Sequence, residues 1–234
     1  MEDLLILLFV WFVANFIPHI IVAALTGKIY YQLTPIKAII VETSIMLLNL
    51  ILPLAILYPS SPQILQIFHN IGWQWKGLLT LRASLVGFTA LIIIMISTQR
   101  LIGNPLSSPK IQLTPRETLL TVVLLLTLTP IAEETMFRGY IQTTLTQHYG
   151  SWIGIIGQAL MFGLRHLPMD IYSGLTQRAP LSAWISRIIQ LYSCGIILGA
   201  ARYWADSIWA SWIIHEFPII LMLELNIPSY SKHK

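Results

Sequence analysis

The chain alternates long apolar runs with short polar breaks, and the runs have the length of a bilayer rather than the striping of surface helices. Hydrophobic segments fall at 4–26, 36–57, 78–98, 117–147, 152–166, 183–202 and 207–225, and a helix needs roughly 20 apolar residues to cross the hydrocarbon core. The stretches Leu4 to Thr26, Ile36 to Leu57 and Leu85 to Ser97 show almost no polar face, which a soluble surface helix would need. Lipid offers the backbone no partners, so it must satisfy itself in helices or in a closed barrel. Unbroken apolar runs exclude the alternation of a barrel. The pattern therefore predicts an all-α fold, a polytopic transmembrane bundle of about seven to eight helices. It reads as one integral membrane domain over 1–234, with N-terminal helices in 1–116 and a motif-bearing core in 117–225.

The breaks carry turn chemistry. "GKIYYQLTP" holds Gly27 and Pro35, "YPSSPQ" has two prolines, and "GNPLSSPKIQLTP" ends at Pro115. Thr114, Pro115 and Glu117 then form a capping-box start, with an N-cap threonine, proline at the first helical position and glutamate at the third. The fourth segment, at 1.5 Å per residue, is about 45 Å long, more than a membrane requires. Pro130 inside it frees the carbonyl of Leu126, predicting a kink just before an acidic pair. Pro168 is expected to stop the fifth helix, leaving "LPMDIYSGLTQRAP" as a loop with a short interfacial piece.

Composition sharpens the picture. The chain is 56% hydrophobic and only 10% charged, with a mean hydropathy of +0.71. A formal charge of +4 would suggest nucleic acid in a soluble protein, but here the basic residues are scattered singly among loops. That distribution fits topology and anionic headgroups, so membrane lipid is the expected partner and nucleic acid is not. Lys28, Lys37, Arg100, Lys110 and Arg116 fall in the first and third loops, against Lys76 and Arg82 in the second. The positive-inside rule then places the first and third loops on the cytoplasmic side. Cys194 is the single cysteine, so no intrachain disulfide and no thiolate cluster can form. The first segment lacks a basic leader and runs into Pro18 and His19, and so reads as a retained helix.

Against this background "PIAEETMFRGY" stands out. On an α-helix Glu134 and Arg138 are four apart and face one another, whereas Glu133 points about 100° away. Glu134 and Arg138 are thus expected to form a structural ion pair, leaving Glu133 as the carboxylate without a counter-ion, suited to a general base on water. Ionisable groups inside a membrane are expensive and default to function. "QALMFGLRHLP" puts Phe162 and His166 one turn apart, with His166 at a depth that can match Glu133. "SIWASWIIHEFPIILMLEL" puts His215 in an apolar run, where packing alone asks for no imidazole. His215 and Glu216 begin the zinc-protease pattern HExxH, but position 219 is Ile and the motif fails. Asn15 with His19 reads as a helix-to-helix hydrogen-bonding pair, and Glu42 and Asn49, a heptad apart, as facing the bundle interior. Glu216 and Glu224 read as membrane-edge contacts, His69, His148 and His233 as loop or terminal residues, and the flanking tryptophans as interfacial anchors.

Taken together, "EETMFRG", "FGLRH" and His215 resemble the motifs of the CPBP family of intramembrane proteases, also known as the CAAX-protease and bacteriocin-processing or Abi family. The family pattern EExxxR looks like Glu133, Glu134 and Arg138, and FxxxH looks like Phe162 and His166. The third family motif, a histidine succeeded four residues later by Asn or Asp, is met only at His215, since Ile219 holds the fourth position and Pro218 stands beside it. The resemblance spans Thr118 to Leu223. It implies peptide-bond hydrolysis at the membrane, on a membrane-associated peptide or protein, with prenylated and otherwise lipidated segments among the candidates. Glu133 and His166 would activate water and His215 would steady the oxyanion, with Glu134, Arg138 and Phe162 supporting them. No cofactor is favoured. The alternative is a zinc held by Glu133, His166 and His215. A missing amide at position 219 leaves three outcomes: His215 acts alone, Asn15 or Asn49 supplies the amide, or the activity is reduced. The same fold could instead serve as a non-catalytic membrane scaffold or bacteriocin-immunity protein.

Overall fold

The computed structural model describes residues 2–28, 32–60, 63–106 and 114–216. All regular elements among them are helical, as the apolar runs predict. In chain order they are α1 (Glu2–Thr26), α2 (Pro35–Leu57), the short α3 (Ile64–Asn70), α4 (Leu78–Leu101), α5 (Pro115–Leu126), α6 (Leu128–Glu133), a π-helical segment (Glu134–Ile141), α7 (Gln142–Tyr149), α8 (Ser151–Thr176) and α9 (Leu181–Ala205). A final helical stretch covers 208–216. The protein is an integral membrane protein. Among the described residues α1, α2, α4, the run Pro115–Tyr149 and α9 are each long and apolar enough to cross a bilayer. Their outward faces expose Leu5, Phe9, Ile40, Leu85 and Ile93, a surface that only lipid makes inexpensive.

Contacts between helix ends sort them onto two faces. Asp3 at the start of α1 pairs with His148 near the end of α7 at 3.3 Å, and Lys76 before α4 pairs with Asp206 after α9 at 3.5 Å. On the other face Ser186 near the start of α9 donates to the carbonyl of Gly103, just after α4, at 2.8 Å. Helix α8 therefore runs between the faces, alongside α9.

The capping box at Thr114 forms as read: its amide donates to Glu117 at 2.8 Å and its hydroxyl accepts from the Glu117 amide at 3.3 Å. The kink forms too. The break is at Thr127, whose backbone leaves helical geometry (φ −125°, ψ −74°), beside the carbonyl that Pro130 cannot serve. Pro168, by contrast, does not end α8, which continues to Thr176. Tertiary packing overrides the proline: Arg187 grips Asp170 with its Nε at 3.1 and 3.3 Å. Trp184 also lies where a side chain on Gly174 would be, 1.9 Å from an added Cβ. The second loop also holds α3, which the apolar runs did not predict.

Helices α8 and α9 meet on a small-residue stripe. A Cβ on Gly195 would lie 3.0 Å from the Ala159 Cα, and one on Gly199 would lie 2.4 Å from the Gln158 amide. That intimacy exposes carbonyls, which buried amides then cap: Gln158 donates to Gly195 O at 2.7 Å and Gln142 to Gly199 O at 2.8 Å. The spacing of four between the two glycines is the close-approach pattern of membrane helices.

Candidate active site

The acidic pair lies where α6 gives way to the π-helical segment. Wider i→i+5 turns of this kind occur frequently at functional sites. All eight residues of the segment are buried, and with Glu133 they bring both carboxylates to the bundle interior. The straight α-helix of the sequence reading separates the two glutamates; in the fold His215 bridges them. Its Nδ1 is 2.8 Å from Glu134 Oε1 and its Nε2 is 3.5 Å from Glu133 Oε2.

The partners fix the tautomers. A carboxylate accepts only, so Nδ1–H of His215 donates to Glu134, while Nε2 faces Glu133. His166 is set the same way, because its Nδ1 lies 2.9 Å from the Phe162 carbonyl oxygen. It donates there and leaves Nε2 as an acceptor. The His166 Nε2 and the Glu133 carboxylate both accept, which suits a group donating to both, as water does.

Phe162 connects the motifs. Its ring meets Phe137 edge-on at 5.3 Å, His166 at 5.0 Å and His215 at 6.1 Å. Its face also carries the Arg138 guanidinium 4.6 Å from the centroid. Arg138 and Glu134 form the expected ion pair at 3.1 Å, both fully buried. The geometry is that of a charge contact rather than aligned hydrogen bonds, since Arg138 Nε, Nη1 and Nη2 make none among the described residues. The aromatic face makes up part of the difference.

One reading is corrected. Glu133 does have a counter-ion: Arg165 Nη1 contacts its Oε1, and Nη2 of the same guanidinium is 3.2 Å from Glu42 Oε1. Local spacing shows only pairs within one helix, whereas this bridge joins α6, α8 and α2. Its one trace in the sequence was Glu42 facing the interior. The proposed amide donors are also accounted for. Asn15 and Asn49 donate to each other's carbonyl at 3.2 Å and to the backbone of Trp11 and Ile45 at 2.9 Å. Each amide has two hydrogens, and both are used, so neither asparagine supplies the missing donor. Pro218, Ile219, Glu224 and His233 lie outside the described residues. His69 contacts Gln74 at 3.2 Å and His148 pairs with Asp3, so neither joins the site, and Glu216, read as a membrane-edge contact, is instead buried.

Among the described residues no three His, Cys, Asp or Glu side chains converge in a group that could hold a metal ion. The zinc set of Glu133, His166 and His215 also meets a cation already in place, since Arg165 contacts the other oxygen of the Glu133 carboxylate. Two residues before Glu133, Ile131 lines an apolar cavity of about 270 Å³ with Phe68, Trp73, Trp209 and Trp212.

A carboxylate and two imidazoles thus lie together inside a helical membrane bundle. Residues 115–217, which contain Glu133, Glu134, Arg138, Phe162, Arg165, His166 and His215, match the family model described as Rce1-like, type II CAAX prenyl endopeptidase Rce1-like. That segment, a little under half of the chain, is similar to the CAAX-protease family whose motifs the chain resembles, and this is a family of peptidases. No curated protein and no solved structure matches the chain.

Proposed function

We propose that the protein is an intramembrane endopeptidase that hydrolyses a peptide bond of a membrane-associated protein or peptide, with Glu133 as general base on water. The observation that carries this reading is the meeting of Glu133 with the His215 Nε2 at 3.5 Å, while His166 offers an acceptor of its own. Water held there gives a proton to Glu133 as its oxygen attacks the carbonyl carbon, and Glu133 later returns the proton to the leaving amine. Arg138 and Glu134 keep His215 in register. The contact of Arg165 with Glu133 supports a metal-free mechanism. The aromatic cavity beside Ile131 suits an apolar group of the substrate, in keeping with a prenylated C-terminal segment. The Glu133 ion pair is also what a non-catalytic scaffold would show, so the two readings part at one experiment. New peptide termini are surveyed by mass spectrometry in host membranes carrying wild type or Glu133→Gln at equal expression. Termini that depend on Glu133 are expected. Identical termini in both, with the variant retaining the phenotype of the wild type, would overturn the protease in favour of the scaffold.

A further inference from the structure

Adding water to an amide carbonyl puts negative charge on its oxygen, and a hydrolytic site needs a donor facing that charge. Several donors near Glu133 face partners of their own. Nδ1–H of His215 goes to Glu134 and that of His166 to Phe162. The amides of Asn15 and Asn49 bond to each other and to backbone carbonyls. Trp73 Nε1–H goes to the Thr135 hydroxyl at 3.0 Å. Arg138 lies under Phe162 on the neighbouring glutamate. Arg165 differs from all of these, because its guanidinium rests on Glu133 itself while Glu42 grips it from α2. Its side chain is only 10% exposed, which strengthens any charge interaction it makes.

Resting on the peptidase reading, we propose that Arg165 is a further catalytic residue, the cation that receives the oxyanion. Water activated by Glu133 bonds to the carbonyl carbon, and its proton passes to the Glu133 carboxylate. The π pair of the carbonyl moves onto oxygen, which forms within two hydrogen-bond lengths of that carboxylate, roughly 6 Å. A planar guanidinium carries five N–H donors in a fork, so one group can touch Glu133, Glu42 and the new oxyanion. Collapse re-forms the carbonyl and breaks the C–N bond, the proton returning from Glu133 to the leaving amine. Glu42 is then a positioning residue, contributed by a helix outside the matched segment.

The test uses the full chain in detergent, with a fluorogenic peptide carrying a farnesylated cysteine near its C-terminus and the phosphinate analogue of that peptide. Wild type is expected to cleave and Glu133→Gln is not. Arg165→Gln should lower kcat by ~10²–10³ with KM within about threefold, since the loss is confined to the transition state. Phosphinate affinity should fall alongside kcat, and Arg165→Lys should recover part of both. A kcat held within about threefold of wild type, or a loss of kcat with phosphinate affinity unchanged, would overturn the assignment, the second result leaving Arg165 a positioning role only. Failure of wild type to cleave a peptide that it binds would overturn the peptidase reading and this role together. Should Arg165→Gln unfold by stranding two carboxylates, the double variant Glu42→Gln/Arg165→Gln removes one of them and is expected to show the same loss of kcat.

Discussion

Phe162 is where the separate motifs become one site, because its ring touches Phe137, Arg138, His166 and His215 while its carbonyl orients His166. Phe162→Ala is therefore expected to cost about 3–5 kcal/mol of stability, the usual range for a buried aromatic. Thermal unfolding in detergent measures it. Arg138→Ala leaves Glu134 buried without a counter-charge and should cost about 3–5 kcal/mol, more than replacing both partners by neutral residues. Comparing the melting of Arg138→Ala with that of Glu134→Gln/Arg138→Met decides the point. Purified protein that cleaves substrate is expected to keep its rate after exhaustive chelation, and a loss restored by zinc would defeat the metal-free reading. At this scale the sequence exposed the Glu134–Arg138 pair, since four residues on one helix always meet. It hid the Arg165 bridge, since nothing in local spacing says that α2 and α8 converge on α6.

Elements were legible where apolar runs and caps define them, and less so where packing overrides local rules. Thr114 starts α5 as its capping chemistry dictates, and the Pro130 break appears at Thr127. Pro168 alone would end α8, yet Arg187 and Trp184 hold the continuation in place. The π turns carry no sequence signature of their own, so the rotation of Glu133 relative to Glu134 could not be read from the residues. The α8–α9 seam permits a sharp test. Gly195→Val would press Cβ to 2.9 Å from the Ala159 Cβ and 3.0 Å from its Cα. Backbone cannot yield as a flexible side chain does. The variant should lose about 1–3 kcal/mol, with lower catalytic output as His166 moves with α8, read together by melting and by turnover.

For the whole molecule, end contacts and charge bias agree on one arrangement of faces. In a Cys194→Ser background, Lys28→Cys and Asn104→Cys should react with an impermeant thiol reagent from one side of sealed vesicles, and Lys76→Cys and Gln147→Cys from the other. The first pair should be cytoplasmic, following the excess of basic residues in those loops. Labelling of all four from the same side would refute the arrangement. The two-face order was legible from counting runs, but the share of the N-terminal helices in the site was not. Glu42, the Asn15–Asn49 pair and Arg165 meet only in three dimensions.

The segment Ile71 to Lys76 bears on how the protein is made. It lies across the turn after α9: the Ile208 amide donates to Gly72 O at 2.8 Å, Arg202 donates to Ile71 O at 3.4 Å, and Ser207 donates to Gln74 O. Trp73 ties the same strip to Thr135 in the π turns. A ribosome delivers that strip well before its partners exist, and until residue 208 arrives those carbonyls must be served by water or translocon. Translation thus supplies the partners of this strip long after the strip itself. A nascent chain arrested before Ser207 would lack these contacts and His215 alike.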